Sequence, residues 1–404
     1  MSRMKIYCLL IDALPLIDEI KDFAEQNGFS ISHQIGSCYT TPTLYNMFTG
    51  QQPSDLLHHG VGYHYIGRDD INTFKWFENE DIHLVDILKK NNYQFNVCGN
   101  RHSFFMRDLL CLPVLSEDFT HPLSETIQSH QETYYNFDKY KNAYEAFERF
   151  SHVNLFSSNP NKTNDLFWEE YKNPEQREAF YQNEKLNIAE QQRKKEDLFC
   201  FWQNLEWSDH TWGSKTTARA ESIQNVMEWL SFWNFDEEDA YFWIFSDHGD
   251  AADELMSPKS YMSWAITKDN TKSATSSAPK SMISSVDFYK TILNKLDYNK
   301  DCAYSRDIYE PLDPNRLYFF EDSRMHSSLT HANAASVVSV EYDNEGHPAS
   351  LIQLSRHMRR PSPYIFQYNY KTDEVKSGIT VDSLGVEKLK SNMTALHDRI
   401  AWLK

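Results

Sequence analysis

A chain of 404 residues, 40% hydrophobic and 14% aromatic, carries enough apolar material for one large core with a smaller unit beside it. Its 40 basic and 58 acidic side chains leave a net charge of −18, which argues against nonspecific binding to nucleic acid or an anionic membrane and requires an anionic substrate to meet a metal or a local basic cluster. Six cysteines, at 8, 38, 98, 111, 200 and 302, form neither a C-x-x-C pair nor a dense framework, so free thiols in a reducing, cytoplasmic setting are expected.

Arg3 and Lys5 precede an apolar run, but Asp12 interrupts it and no small-residue cleavage site follows, so the run reads as a first strand and not a leader. No stretch approaches the ~20 apolar residues of a membrane span. Residues 6–11 are nearly all apolar and end in D-A-L-P, the pattern of a buried parallel strand delivering a carboxylate, Asp12, at the edge where α/β proteins bind ligands. Residues 17–27 read as a helix. Then Thr40, Thr41 and Pro42 precede the amphipathic run 44–48, which stops at Gly50 as a short helix would. Thr40 therefore stands at a helix start, near unpaired N–H groups and the positive end of the helix dipole. Residues 51–77 read as irregular loop, and their histidines, His58, His59 and His64, as loop surface.

A helix over 82–90, an Asn-Asn turn and a strand over 93–98 make a compact αβ unit. From about 124 to 204 charged and aromatic residues recur at helical spacing, which predicts a helical insertion, a candidate lid and the place where substrate specificity would lie. Residues 199–207 are strand-like, 218–233 helical, and 240–245 a fully apolar strand ending in S-D-H-G. That ending joins a carboxylate and an imidazole, hard and borderline ligands for a divalent cation, to a glycine that lets the backbone turn tightly beside them. The candidates are Asp247 and His248. A helix follows over 284–296, a strand begins at 316–320, and 321–331 reads as a polar loop holding His326 and His331. Strands at 335–342, 350–354 and 364–370, separated by turn residues, and a helix over 386–403 close the chain.

Residues 38–50, C-Y-T-T-P-T-L-Y-N-M-F-T-G, resemble the nucleophile segment of the alkaline phosphatase and sulfatase superfamily. A sulfatase reads C-x-P-S-R-x-x-L-L-T-G there, and a phosphodiesterase-like member T-x-P-N-x-x-x-L-x-T-G. Counting back from Thr49 and Gly50 puts Pro42 on the motif proline and Thr40 on the nucleophile. Leu44 stands where sulfatases have arginine and Thr43 where they have serine, so the match is to the superfamily and not to the sulfatase branch. The S-D-H-G element and the strand-end aspartate resemble its metal-binding elements, although Ala13 stands where sulfatases often carry a second aspartate. Residues 99–102, G-N-R-H, resemble the sulfatase G-K-x-H with His102 kept and Asn100 in place of lysine. H-T-W-G at 210–213 resembles the phosphodiesterase H-x-Y-G and points to His210. Lys259 falls where sulfatases have a substrate-binding lysine, and residues 286–293 resemble their V-D-x-x-P-T-L-L.

The resemblance implies an α/β fold with a mostly parallel central sheet flanked by helices, the helical insertion, and a small C-terminal antiparallel sheet with a helix. The division expected is a catalytic domain over 1–315 and a subdomain over 316–404. It implies one or two divalent ions (zinc, manganese, calcium or magnesium), held by Asp12, Thr40, Asp247 and His248, with Glu206, Asp209, His210, His326 and His331 as candidates for a second site. It further implies that His102, His210 and Lys259 contact the substrate, a small-molecule or glycan-linked phosphate ester, with a sulfate ester the weaker candidate. Threonine cannot become the formylglycine that sulfatases make from cysteine or serine. A phosphothreonine intermediate at Thr40 is therefore the expected chemistry. A sulfatase-like hydrolase of another mechanism, or a catalytically silent binding protein on this scaffold, are the alternatives.

Overall fold

The structure is a computed structural model and describes residues 4–37, 40–52, 83–98, 154–156, 174–204, 216–249, 257–271, 279–326, 330–357, 364–377 and 386–400. The chain divides into two compact units.

The first unit is built on β1 (Lys5–Ile11), β3 (Gln94–Cys98), β4 (Asn154–Phe156), β5 (Leu198–Asn204) and β6 (Ala240–Phe245). These strands are parallel and lie in the order β4-β3-β5-β1-β6. In β5 and β6 every residue is buried, and in β1 all but Lys5. Their continuous apolar sequences, KIYCLLI, LFCFWQN and AYFWIF, are what strands covered on both faces require. The helices described in this unit are α1 (Asp18–Gln26), α3 (Leu84–Lys90), α4 (Pro174–Arg193) and α5 (Thr216–Leu230). Of the insertion expected over 124–204, α4 is a twenty-residue helix, while 124–153 and 157–173 lie outside the described residues.

Aromatic rings fill the space over the central strands. Tyr7 stacks on Phe242 with centroids 5.0 Å apart, and Trp202 and Trp233 meet edge to face at 5.4 Å. Beneath Trp202 lies Glu184 of α4, 1% exposed, whose Oε1 accepts from the indole Nε1 at 2.8 Å. Burial raises this carboxyl from 4.5 to about 7, with the indole bond working against the rise. The folded state then holds its proton more tightly than the unfolded chain. The group costs nothing below 4.5, and its full penalty is present above about 7. Glu184→Gln mimics the protonated acid. Its stability relative to wild type should therefore grow with pH across that window, by an amount on the order of 3 kcal/mol. Urea unfolding at both ends of the window measures it, and a difference independent of pH would show that the carboxyl titrates normally.

The second unit contains β2 (Ser30–Ile35), α2 (Thr40–Thr49), α6 (Pro258–Tyr261), β8 (Met282–Ser284) and α7 (Asp287–Lys295). β2 pairs in parallel with β8 and lies between it and β7 (Met262–Asp269). An antiparallel sheet follows, of β9 (Leu317–His326), β10 (Thr330–Tyr342), β11 (Pro348–His357), β12 (Tyr364–Asn369) and β13 (Glu374–Ser377), closed by α8 (Val386–Ile400). Alternation sorts its side chains. Val337, Ile352 and Leu354 pack with Leu396 of α8, while Val338, Val340 and Leu351 pack with Tyr261 and Met282.

The polar loop expected over 321–331 is instead the end of a hairpin, with Thr330 opposite His326 and Ala335 opposite Glu321. Ladder hydrogen bonds need only backbone groups, so the pairing of β9 and β10 runs on past the point where apolar side chains stop.

Candidate metal centre

Parallel register places the first two candidates. Leu10 of β1 stands beside Phe245 of β6, so Asp12 and Asp247, each two residues further on, leave the same C-terminal strand edge side by side. After Asp12 the chain turns at once, through a buried Ala13 with φ of 57°. Such a left-handed conformation costs a non-glycine residue about 1–2 kcal/mol and persists only where the surroundings impose it. His248 follows Asp247 directly. One ligand atom from each of Asp12, Asp247 and His248 lies within 4.8 Å of the others, the spread of one coordination sphere.

The donor set fits a divalent ion. His248 Nδ1 lies 2.8 Å from the carbonyl of Gly249, which fixes the tautomer with a proton on Nδ1 and a lone pair on Nε2. That Nε2 is 3.6 Å from Asp247 Oδ2, and both side chains are fully buried. Two carboxylates held this close in a site 9% exposed or less repel each other, and a shared cation removes the repulsion.

Two glycines allow the backbone around this cluster to close up. A Cβ on Gly36, at the end of β2, would fall 2.7 Å from the Asp247 carbonyl oxygen and 3.2 Å from Thr43 Oγ1. Gly36 thereby lies close to both the Asp247 backbone and Thr43 of α2, and Ser37 N ties the helix to the end of β2 by donating to Thr43 Oγ1 at 2.9 Å. Thr40 opens that helix. A Cβ on Gly249 would lie 1.9 Å from the carbonyl oxygen of Lys259 and 2.6 Å from that of Met262. Its N–H donates to Ser260 O at 3.0 Å. The glycine of S-D-H-G is thus needed for close approach to α6 and not for a left-handed turn. Gly249→Ala must push α6 away or drag His248 out of line, at a cost of about 1–3 kcal/mol. A lowered Tm together with weaker metal uptake is expected; an unchanged Tm would mean that α6 yields freely.

The other predicted residues are placed as follows. Lys259, on α6, pairs with Asp373 at 2.9 Å, the lysine half-buried and the aspartate largely solvated. His326 and His331 lie at the turn end of the β9–β10 hairpin, His331 opposite Met325. His102, Glu206, Asp209 and His210 lie outside the described residues. Gly36 and Thr43 were not singled out from sequence, because one has no side chain to signal a role and the other reads as an ordinary helix residue.

No family profile matches the chain, and no curated protein matches it. Solved structures do resemble it. A protein in the alkaline phosphatase superfamily from Vibrio parahaemolyticus superposes with a TM-score of 0.54 at 12% identity, covering 100% of this chain and 88% of that one. The lipoteichoic acid synthase LtaP from Listeria monocytogenes gives 0.44 at 11%, over 99% of this chain and 92% of that one. A protein solved in complex with its substrate D-glucosamine-2-N,6-O-disulfate gives 0.45 at 10%, over 99% and 98%. At such identities the likeness is one of fold, and the first superposition carries it.

Proposed function

We propose that this chain, which has the fold of the alkaline phosphatase superfamily, is a metal-dependent hydrolase or transferase of phosphate esters that uses Thr40 as its nucleophile. The observation that carries the reading is the set Asp12, Asp247 and His248 at adjoining strand ends, with Gly36, just before the helix that Thr40 opens, close to both the Asp247 backbone and Thr43 of that helix.

In this reading Thr40 Oγ attacks phosphorus, the threonine O–P bond forms, and the ester P–O bond breaks. The leaving alkoxide takes up a proton, for which His102 and His210 are the sequence's candidates. Water or an acceptor alcohol then attacks the phosphothreonine and returns the threonine hydroxyl. A divalent ion held by Asp12, Asp247 and His248 would supply the positive charge that lowers the pKa of a nearby hydroxyl and offsets charge on the phosphoryl group. The start of α2 adds N–H groups and a dipole that favour the transferred anion. A free threonine hydroxyl is a poor nucleophile, and these groups are its activation.

The test is a matched screen of para-nitrophenyl phosphate, its diester and para-nitrophenyl sulfate, on protein reconstituted in turn with zinc, manganese, calcium and magnesium. Turnover of phosphate esters that chelator abolishes and metal restores is expected. Preference for the sulfate would overturn the phosphate assignment. Bound metal with no turnover of any ester would favour a silent scaffold.

A further inference from the structure

The second unit holds a cavity of about 520 Å³ to which no residue of the metal cluster contributes. Gln52, just beyond the C-terminal end of α2, lines it, so it lies about a helix length, ~15 Å, from the end that Thr40 opens. Lys280, Arg306 and Arg316 border it.

These three cations are committed differently. Arg316 is spent. Its Nη1 and Nη2 each donate at 2.7 Å to the buried carboxylate of Asp287, which also accepts from Ser284 N and Arg306 N. Lys280 is only 8% exposed, yet its ammonium donates to a backbone carbonyl, that of Asp307 at 2.7 Å, and among the described residues pairs with no carboxylate. Burial lowers its pKa despite the neighbouring acids. Arg306 is exposed, and its guanidinium makes no hydrogen bond or ion pair among the described residues. In a chain of charge −18, a cavity lined both by a buried ammonium and by a guanidinium outside any ion pair among the described residues suits an oxyanion. Glu310, one of the acids that act on Lys280, and Asp313 also line the cavity and offer acceptors, and the rings of Tyr304 and Phe319, which meet edge to face at 6.1 Å, add apolar surface.

We propose that this cavity binds a hydroxyl-bearing phosphate monoester of sugar-phosphate size, its phosphate on Lys280 and Arg306 and its hydroxyls on Glu310 and Asp313. The volume lies within the ~300–1,000 Å³ of small-molecule sites. Two cations match a phosphate dianion better than a single carboxylate, and the two lining carboxylates select for donors on the rest of the ligand. The inference is independent of the chemistry proposed at Thr40.

The experiment is calorimetric titration of full-length, metal-free protein with glucose-6-phosphate, glucose and inorganic phosphate. Metal-free protein cannot turn the probe over. One glucose-6-phosphate should bind per chain, inorganic phosphate more weakly, and glucose not detectably. Arg306→Ala, a surface change, should weaken binding by at least ~10-fold, and Lys280→Met likewise. Absence of binding at millimolar glucose-6-phosphate, binding that Arg306→Ala leaves intact, or inorganic phosphate binding as tightly as the sugar phosphate would each overturn the proposal.

Discussion

Thr40→Ala is expected to abolish phosphoryl transfer, by at least ~10³-fold, while the protein stays folded and still binds metal. The folding half of this expectation rests on what secures the start of α2. Ser37 N donates to Thr43 Oγ1, Asn46 Nδ2 donates to Ser285 Oγ at 3.2 Å, and buried Leu44, Tyr45 and Phe48 anchor the helix. None of these needs the Thr40 hydroxyl. The catalytic half rests on covalent chemistry, in which no neighbouring group can replace the attacking oxygen. Thr40→Ser keeps a hydroxyl with more rotational freedom and should retain part of the activity. Mass spectrometry of wild type quenched during turnover should find phosphate on the peptide containing Thr40. An active Thr40→Ala protein would remove nucleophilic catalysis and leave direct attack by water.

The readable parts of this fold were those whose burial leaves an unbroken apolar run. β1 and β6 announce themselves that way, and so does the carboxylate that each delivers at its end. β2 does not. Its sequence SISHQI puts Gln34 in a fully buried position, where Nε2 donates to Ser263 Oγ at 3.1 Å, so a core strand carries a polar residue bonded to a partner distant in sequence. β8 is three residues long, too short for any period to show, and the helix expected over 284–296 takes in only its last residue, Ser284. The site divides along the same line. Ligand types and strand-end positions are local facts that sequence displays, whereas the close approach of Gly249 to Lys259 and Met262 is tertiary and has no local mark.

Asp247→Asn should remove the metal and with it activity, again by at least ~10³-fold. The change keeps the shape of a fully buried side chain and deletes its charge, so packing at the end of β6 is preserved while the cluster with Asp12 and His248 loses a carboxylate. Two measurements besides activity separate this from simple damage. Metal content after reconstitution and desalting should fall well below that of wild type. Added metal should stabilise wild type, by about 2.7 kcal/mol at a hundred times its Kd, and leave Asp247→Asn unmoved. In the absence of metal the order should reverse. Wild type then keeps both the Asp12 and Asp247 carboxylates in one cluster, and the variant keeps one, so the metal-free variant should melt at or above metal-free wild type. Asp12→Asn, which removes the same repulsion from the other strand, should behave alike. A variant that kept the metal and its stabilising effect would place the ion elsewhere, and one less stable than wild type without metal would make Asp247 a structural carboxylate whose partners lie in the fold itself.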